Sequence, residues 1–137
     1  MAATNILLVD DEPNVLRALS RSLRDQPYRI YTARSAEEAL PIIKAHPVAV
    51  VVSDEQMDGR SGTELFAWMA KHCPEVVRIV LTGRSSPETT MRAINDAKVF
   101  RYFAKPCHPV ELAMAIRDGI DLNSALTGRS FDAALAS

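Results

Sequence analysis

Four positions of this 137-residue chain directly follow or end short apolar runs, and their residue types could assist chemistry on a phosphoryl group. They are the pair Asp10–Asp11, then Asp54, Thr82 and Lys105. Each run is too short to span a membrane and is typical of a strand buried on both faces. Because ligands bind at the carboxyl ends of strands in open α/β sheets, we expect these side chains to converge on one crevice.

The predicted crevice has a charge imbalance. Three carboxylates, those of Asp10, Asp11 and Asp54, repel one another by on the order of 4 kcal/mol per pair at about 4 Å and an effective dielectric near 20. Lys105 supplies only one positive charge. Mg²⁺ prefers oxygen ligands, and it usually takes one or two protein carboxylates together with waters and a phosphate. The sequence therefore predicts a Mg²⁺ site here.

With a metal in place, Asp54 could attack phosphorus and form an aspartyl-phosphate. Mg²⁺ and Lys105 would neutralise two phosphoryl oxygens, and the Thr82 hydroxyl could donate to a third. Each residue alone also has an ordinary explanation, as a turn former, an acidic helix start, a strand-end hydroxyl or a solvated lysine. The coincidence at four strand ends favours a phosphoaspartate site. The sequence has no glycine-rich nucleotide loop, so a nucleotide substrate is not expected.

Five strand–helix units must position these residues. The predicted strands are Ile6–Val9, Tyr28–Ala33, Val48–Ser53, Val76–Thr82 and Val99–Ala104. The predicted helices run from Pro13 to Gln26, Ser35 to His46, Ser61 to His72, Pro87 to Asp96, and from Pro109 onward. Ser35 and Glu38 form a capping-box pattern, and Pro41 should kink or shorten its helix. The order predicts an α/β fold with a doubly wound, five-stranded parallel sheet.

Composition is that of an ordinary globular domain, with 47% hydrophobic and 24% charged residues and a net charge of −1. This balance indicates neither nucleic-acid nor membrane binding. Cys73 and Cys107 lack metal-ligand spacing, which favours a reducing compartment. Without a signal peptide or a membrane span in the sequence, we expect a cytoplasmic location. We predict one domain over residues 1–121 and a tail or linker start over 122–137.

Four motifs resemble the receiver domain of two-component response regulators: ILLVDDEP, SDEQMDGRSG, IVLTG and RYFAKP, in that order, between about Asn5 and Ile120. The resemblance implies a flavodoxin-like sheet of strand order 2-1-3-4-5 with five helices. It implies that Asp54 is the phosphoacceptor and that Asp10, Asp11, Asp54 and the backbone carbonyl of Gln56 bind Mg²⁺. It also implies that Thr82 and Tyr102 are switch residues, Tyr102 turning inward as Thr82 moves, and that the Lys105–Pro106 peptide bond is cis.

The chain departs from the family pattern at Asp58, where receivers usually carry proline. Arg84 is at a position that borders the site in the family. We predict that its guanidinium and the Gln56 amide influence the access of the hydrolytic water. Residues 81–106 are similar to receivers joined to HD-GYP cyclic-di-GMP phosphodiesterases or to NtrC-like hydrogenase regulators.

The implied function is a phosphorylation switch, self-catalysed and not a turnover enzyme. A histidine kinase or phosphotransfer protein would donate the phosphoryl group, and the surface of the fourth helix, fifth strand and fifth helix would change, with an output domain lying outside this chain. That surface could also serve a homodimer, with charges from Arg92, Asp96, Arg101, Arg117 and Asp118. One alternative is a phosphorylation-independent interaction scaffold. Another is an aspartyl-intermediate phosphohydrolase, which Gln56 disfavours because it stands where such enzymes need a general acid.

Overall fold

The computed structural model describes residues 4–55, 62–83, 95 and 98–128, and it shows a parallel sheet with helices packed on it. The strands are β1 (Thr4–Val9), β2 (Tyr28–Ala33), β3 (Val48–Ser53), β4 (Val77–Thr82) and β5 (Arg101–Ala104). Their order across the sheet is β2-β1-β3-β4-β5, and every neighbouring pair is parallel. The predicted fold class and strand order are therefore confirmed.

Four helices lie within the described residues: α1 (Pro13–Ser22), α2 (Ala36–Ala45), α3 (Gly62–His72) and α4 (Pro109–Thr127). The predicted helix over residues 87–96 falls outside them apart from Asn95, so α4 corresponds to the fifth predicted helix. Helix α4 continues past residue 121 and stops at Gly128, whose φ of 73° places it in the left-handed region that favours glycine.

Among the predicted boundaries that differ from the structure, two have a clear physical cause. Helix α1 ends at Ser22, before Gln26, because the main chain then forms i→i+3 turns such as the bond from Arg24 N to the Arg21 carbonyl. Strand β5 begins at Arg101 rather than Val99, because Lys98 has a φ of 54° and turns the chain just before it joins β4.

Helix α2 shows how a proline can be accommodated. The Ser35 side chain accepts a hydrogen bond from Glu38 N at 3.1 Å, which confirms the predicted cap. Pro41 lies inside α2 and does not end it. The amide that proline lacks would have paired with the carbonyl of Glu37, a residue that is itself exposed.

The hydrophobic core has two halves, one on each face of the sheet. Along β1, Leu7 and Val9 point to the face covered by α2 and α3, whereas Ile6 and Leu8 point to the face covered by α1 and α4. Strand β4, and β3 from Val50 onward, show the same alternation, and both strands are buried along their whole length. Packing on both faces fixes the strand ends in place. Cys73 and Cys107 are both free thiols. Among the described helices, none has the length and apolar character needed to cross a membrane.

Candidate functional site

The main chain continues its pairing past the ends of β1 and β3, and this places two carboxylates side by side. Val9 pairs with Ser53 in the ladder between the two central strands. Asp54 N then donates to the Val9 carbonyl at 3.0 Å, and Asp10 N donates to the Ala33 carbonyl at 3.1 Å. Asp10 and Asp54 therefore leave the sheet from adjacent strands at its carboxyl edge.

Lys105 follows the edge strand β5, and its side chain reaches these two carboxylates across the end of β4. Its main-chain amide donates to the Thr82 carbonyl at 2.8 Å, which fixes the start of the loop after β5. Its Nζ lies 2.7 Å from Asp10 Oδ2 and 2.9 Å from Asp54 Oδ2. Both acids are buried, with exposed fractions of 2% for Asp10 and 8% for Asp54. The predicted convergence of three of the strand ends is thus seen directly in the geometry.

The electrostatics of this trio are unbalanced. Burial acts to lower the pKa of Lys105, but its hydrogen bonds and charge interactions with Asp10 and Asp54 outweigh burial, so the pKa is raised overall. Lys105 is therefore cationic at neutral pH, one positive charge against two carboxylates. A buried anion without full compensation is costly. Among the described residues, the trio therefore brings one cation to two carboxylates, an arrangement that a further bound cation would stabilise.

Asp11 and Glu12 extend the acidic edge beyond Asp10. The carboxylate oxygens of these three residues lie within 4.8 Å of one another, a spacing that could hold a metal ion. Asp10 Oδ1 also accepts a hydrogen bond from Glu12 N at 2.9 Å, which orients the Asp10 carboxylate. All the donors are hard oxygens, the set that suits Mg²⁺. Gln56, the fourth predicted ligand, lies outside the described residues, as do Asp58 and Arg84.

Gly62, the first residue of α3, allows the chain to pass directly over the candidate phosphoacceptor. A Cβ at this position would lie 2.0 Å from the Asp54 carbonyl oxygen and 2.9 Å from Ser53 Oγ. Gly62 N donates to the Glu55 carbonyl at 2.9 Å. No other residue type fits this approach without moving the backbone of the site.

Thr82 and Tyr102, the predicted switch residues, occupy neighbouring strands. Thr82 ends β4, is 1% exposed, and pairs with Ala104 of β5. The Tyr102 hydroxyl donates to Glu55 Oε2 at 2.8 Å. The Lys105–Pro106 peptide bond is cis, as the sequence resemblance implies.

Three residues at this edge were not singled out from the sequence. Glu12 belongs to the acidic cluster, and its place directly after Asp10 and Asp11 was a signal that could have been used. Gly62 owes its role to a close approach that depends on the tertiary structure. Glu55 pairs with a side chain 47 residues away, and no local pattern indicates that partner.

Comparison with known proteins identifies the family. The model of the response regulator receiver domain matches residues 6–117. The hydrogenase transcriptional regulatory protein HoxA of Cupriavidus necator is 34% identical over 116 residues, which cover 85% of this chain and 24% of HoxA. The transcriptional regulatory protein GlrR of Escherichia coli K12 is 33% identical over 123 residues, which cover 90% of this chain and 28% of GlrR.

A solved structure agrees with these matches. The signal receiver domain of an HD domain-containing protein from Pseudomonas fluorescens Pf-5 superposes with a TM-score of 0.89 at 30% identity, covering 95% of this chain and 96% of that one. These relatives include a hydrogenase regulator and the receiver of an HD domain-containing protein, whereas the finer resemblance drawn from residues 81–106 stays a prediction. The chain spans about a quarter of the length of the two regulators it matches. The chain belongs to the response regulator receiver domain family.

Proposed function

We propose that this chain is the phosphoacceptor receiver of a two-component phosphorelay and that Asp54 takes the phosphoryl group. The observation that carries the proposal is the Lys105 ammonium group held between the buried carboxylates of Asp10 and Asp54. An arrangement with one cation and two buried anions suits a site that gains a further cation and then a phosphoryl group.

The metal in this proposal is Mg²⁺, which receiver domains bind at an acidic pocket. Asp10, Asp11, Asp54 and the carbonyl of Gln56 would hold it, and Glu12 would add to the negative potential that attracts it. When bound, Mg²⁺ supplies charge neutralisation for the phosphoryl oxygens. The chain's own contribution is to hold Asp54 buried and oriented on a rigid strand end, so that it meets phosphorus in line.

In the transfer step, an Asp54 carboxylate oxygen attacks the phosphorus of a phosphohistidine on the donor protein. A P–O bond to Asp54 forms as the P–N bond to the imidazole breaks, and the imidazole nitrogen keeps the electron pair and takes a proton. Lys105 is close enough to Asp54 to pair with a phosphoryl oxygen after transfer. The Thr82 hydroxyl would donate a hydrogen bond to another.

The modification adds about −1.5 to −2 charge at the carboxyl edge of the sheet. We propose that Thr82 moves toward this charge, that Tyr102 repacks, and that the surface formed by residues 87–96, β5 and α4 changes for a partner.

The phosphoryl donor would be a histidine kinase or phosphotransfer protein in the cytoplasm. The partner that recognises the changed surface would be an output domain or a separate target, as the greater length of the relatives suggests. The chain would not turn over a substrate. Homodimerisation through the same surface remains a prediction, with Arg101 and Asp118 already 3.8 Å apart within one chain.

The test is intact-mass analysis after incubation with acetyl phosphate and Mg²⁺. The wild-type protein should gain the mass of one phosphoryl group, and Asp54→Asn should gain none because an amide is not a nucleophile here. Asp25→Asn is the matched control, since Asp25 is exposed and lies in the turn after α1. A wild-type protein that stays unmodified, or an Asp54→Asn variant that is modified, would contradict the proposal; the former would favour an interaction scaffold.

A further inference from the structure

We propose that Glu55 is a positioning residue of the switch: its buried carboxylate holds the Tyr102 ring inward before Asp54 is phosphorylated. The inference rests on the proposed function, because it concerns how readily the site accepts the phosphoryl group. It assigns to Glu55 a role that neither its type nor its place in the sequence indicates.

The contact is direct and sheltered. Tyr102 Oη donates to Glu55 Oε2 at 2.8 Å, and Glu55 is only 3% exposed. The ring of Tyr102 is half-buried and packs against the core on the α2 and α3 face of the sheet. A hydrogen bond to an ionised acceptor is roughly twice as strong as one between neutral groups, and burial removes competing water.

The register of the sheet shows that this bond crosses β4. Ser53 of β3 pairs with Val80 of β4, and Val80 pairs with Tyr102 of β5. These three side chains therefore lie in one row on the same face, and Glu55 is two residues beyond Ser53. The bond clamps the phosphoacceptor loop to β5 across the end of β4, the strand that carries Thr82.

Glu55 also joins the switch to the site itself. It is the residue directly after Asp54, and its carbonyl accepts a hydrogen bond from Gly62 N at 2.9 Å. One residue thus ties together the phosphoacceptor, the start of α3 and the hydroxyl of Tyr102. Any movement of the Asp54 main chain is transmitted to the ring, and the position of the ring is transmitted back.

The consequence is a bias in the conformational equilibrium. If an inward ring accompanies phosphorylation, a chain whose ring is already inward does not need to reorganise when the phosphoryl group arrives. The apparent affinity for a ligand falls by the fraction of molecules that are in the competent state. Weakening the bond should therefore weaken binding of a phosphoryl mimic without any change in the groups that touch it.

The experiment measures the affinity for beryllofluoride, a phosphoryl mimic, in the presence of saturating Mg²⁺. Tyr102→Phe should bind about fivefold to tenfold more weakly than wild type, because the ring stays while its anchor is lost. Tyr31→Phe is the matched control, since the Tyr31 hydroxyl lies 3.4 Å from His46 Nδ1, at the C-terminal end of α2, and should have no effect.

Two variants of Glu55 separate positioning from simple charge. Glu55→Gln keeps a neutral acceptor and should lose less affinity than Glu55→Ala, which keeps none. Simple repulsion between Glu55 and the bound anion predicts the opposite sign, with both variants binding more tightly than wild type. Unchanged or tighter binding by Tyr102→Phe and Glu55→Ala would overturn the proposal.

A double-mutant cycle measured by urea unfolding without Mg²⁺ distinguishes failure of the Glu55–Tyr102 contact from failure of the proposed function. The effects of Tyr102→Phe and Glu55→Ala on the folding equilibrium constant should be coupled by about tenfold, because both remove the same bond. Coupling with no beryllofluoride binding by the wild type would mean that the bond exists but that the proposed function, and the switch role with it, fails. Independent effects of the two substitutions would overturn the clamp itself, whatever the wild type binds.

Discussion

Each of the two edges of the sheet contains a cation, Lys105 partly buried and Arg78 buried, and the two cations have different described partners. At the carboxyl edge, Lys105 Nζ bonds to the carboxylates of Asp10 and Asp54. At the amino edge, the bonds of the Arg78 guanidinium to described residues go to the main-chain carbonyls of Pro74, Val76 and Lys98. The pKa of Lys105 is raised, whereas burial lowers that of Arg78.

This difference in partners distinguishes a candidate reactive site at the carboxyl edge from a structural contact between main-chain segments at the amino edge. The described carbonyl partners of Arg78 are neutral and fixed in the backbone, and they tie β4 to Lys98 in the turn before β5. Carboxylate partners are charged and can exchange one cation for another. At the amino edge, an open cavity of about 500 Å³ lies between the ends of α2, α3 and α4, lined by His46, Cys73 and Asn123 among others. At the carboxyl edge, in contrast, the approach of Gly62 to Asp54 leaves no space for a Cβ, although Gly83 at the same edge has ordinary space.

The largest effect is expected from filling that tight packing. Gly62→Ala places a Cβ on the Asp54 carbonyl, and we expect the unfolding free energy to fall by about 3 kcal/mol or more, measured by urea denaturation. Gly119→Ala is the comparison, because the nearest atoms that its Cβ would meet are side-chain methyl groups of Val50 and Val77, at 3.0 and 3.1 Å, and not backbone. Its cost should be below about 1 kcal/mol, since alanine also favours the helix. Equal costs would contradict the view that the carboxyl edge is the less tolerant one.

The next effect concerns the two cations themselves. Lys105→Met leaves two buried carboxylates without their shared partner, and it should lower the unfolding free energy by about 2–3 kcal/mol in the absence of Mg²⁺. Added Mg²⁺ should restore much of the lost stability, because the metal would neutralise the same two carboxylates.

Arg78→Met supplies the contrast. It should cost about 1–3 kcal/mol through unsatisfied carbonyls, and Mg²⁺ should restore none of it. If Mg²⁺ fails to stabilise Lys105→Met, as it is expected to fail with Arg78→Met, then Lys105 has only a structural role.

A smaller effect is expected at alkaline pH. The pKa of Lys105 is raised above its ordinary value of 10.5, so its contribution to stability is complete below that pH and is lost as the pH rises through the folded-state pKa. Burial also raises the pKa of Tyr28 to about 12, which acts in the same direction between its ordinary value of 10.0 and 12. The unfolding free energy of the Tyr28→Phe variant, measured by denaturation at increasing pH, should therefore fall as the pH rises. In the Tyr28→Phe/Lys105→Met double variant this fall should be smaller. An equally steep loss without Lys105 would rule out this assignment.

The places of Asp10, Asp54, Thr82 and Lys105 at the carboxyl edge could be predicted from the sequence, because each follows or ends an apolar run that is recognisable on its own. Strand and helix order follow from the same runs. The last turn of α1 was harder to predict, since Leu23 remains buried after the helical hydrogen bonds have given way to turns.

Contacts between distant strands could not be predicted from local pattern. The bond between Glu55 and Tyr102 requires β3, β4 and β5 in one particular register, which the sequence does not display. The approach of Gly62 to Asp54 likewise depends on how α3 is set against the sheet. Such contacts arise from the assembled fold, and they decide how the candidate site is held.

The most direct test of the account is a Mg²⁺ titration of the ¹⁵N-labelled protein followed by NMR. Saturable shifts should be concentrated in the amides of residues 10–12, 54–55 and 105, where the unbalanced carboxylates lie, and they should disappear in Asp10→Asn. Exposed acids such as Asp25 and Asp118 should be unaffected at the same Mg²⁺ concentration. An absence of shifts at the carboxyl edge, or shifts spread evenly over exposed acids, would contradict the claim that this edge binds a divalent cation.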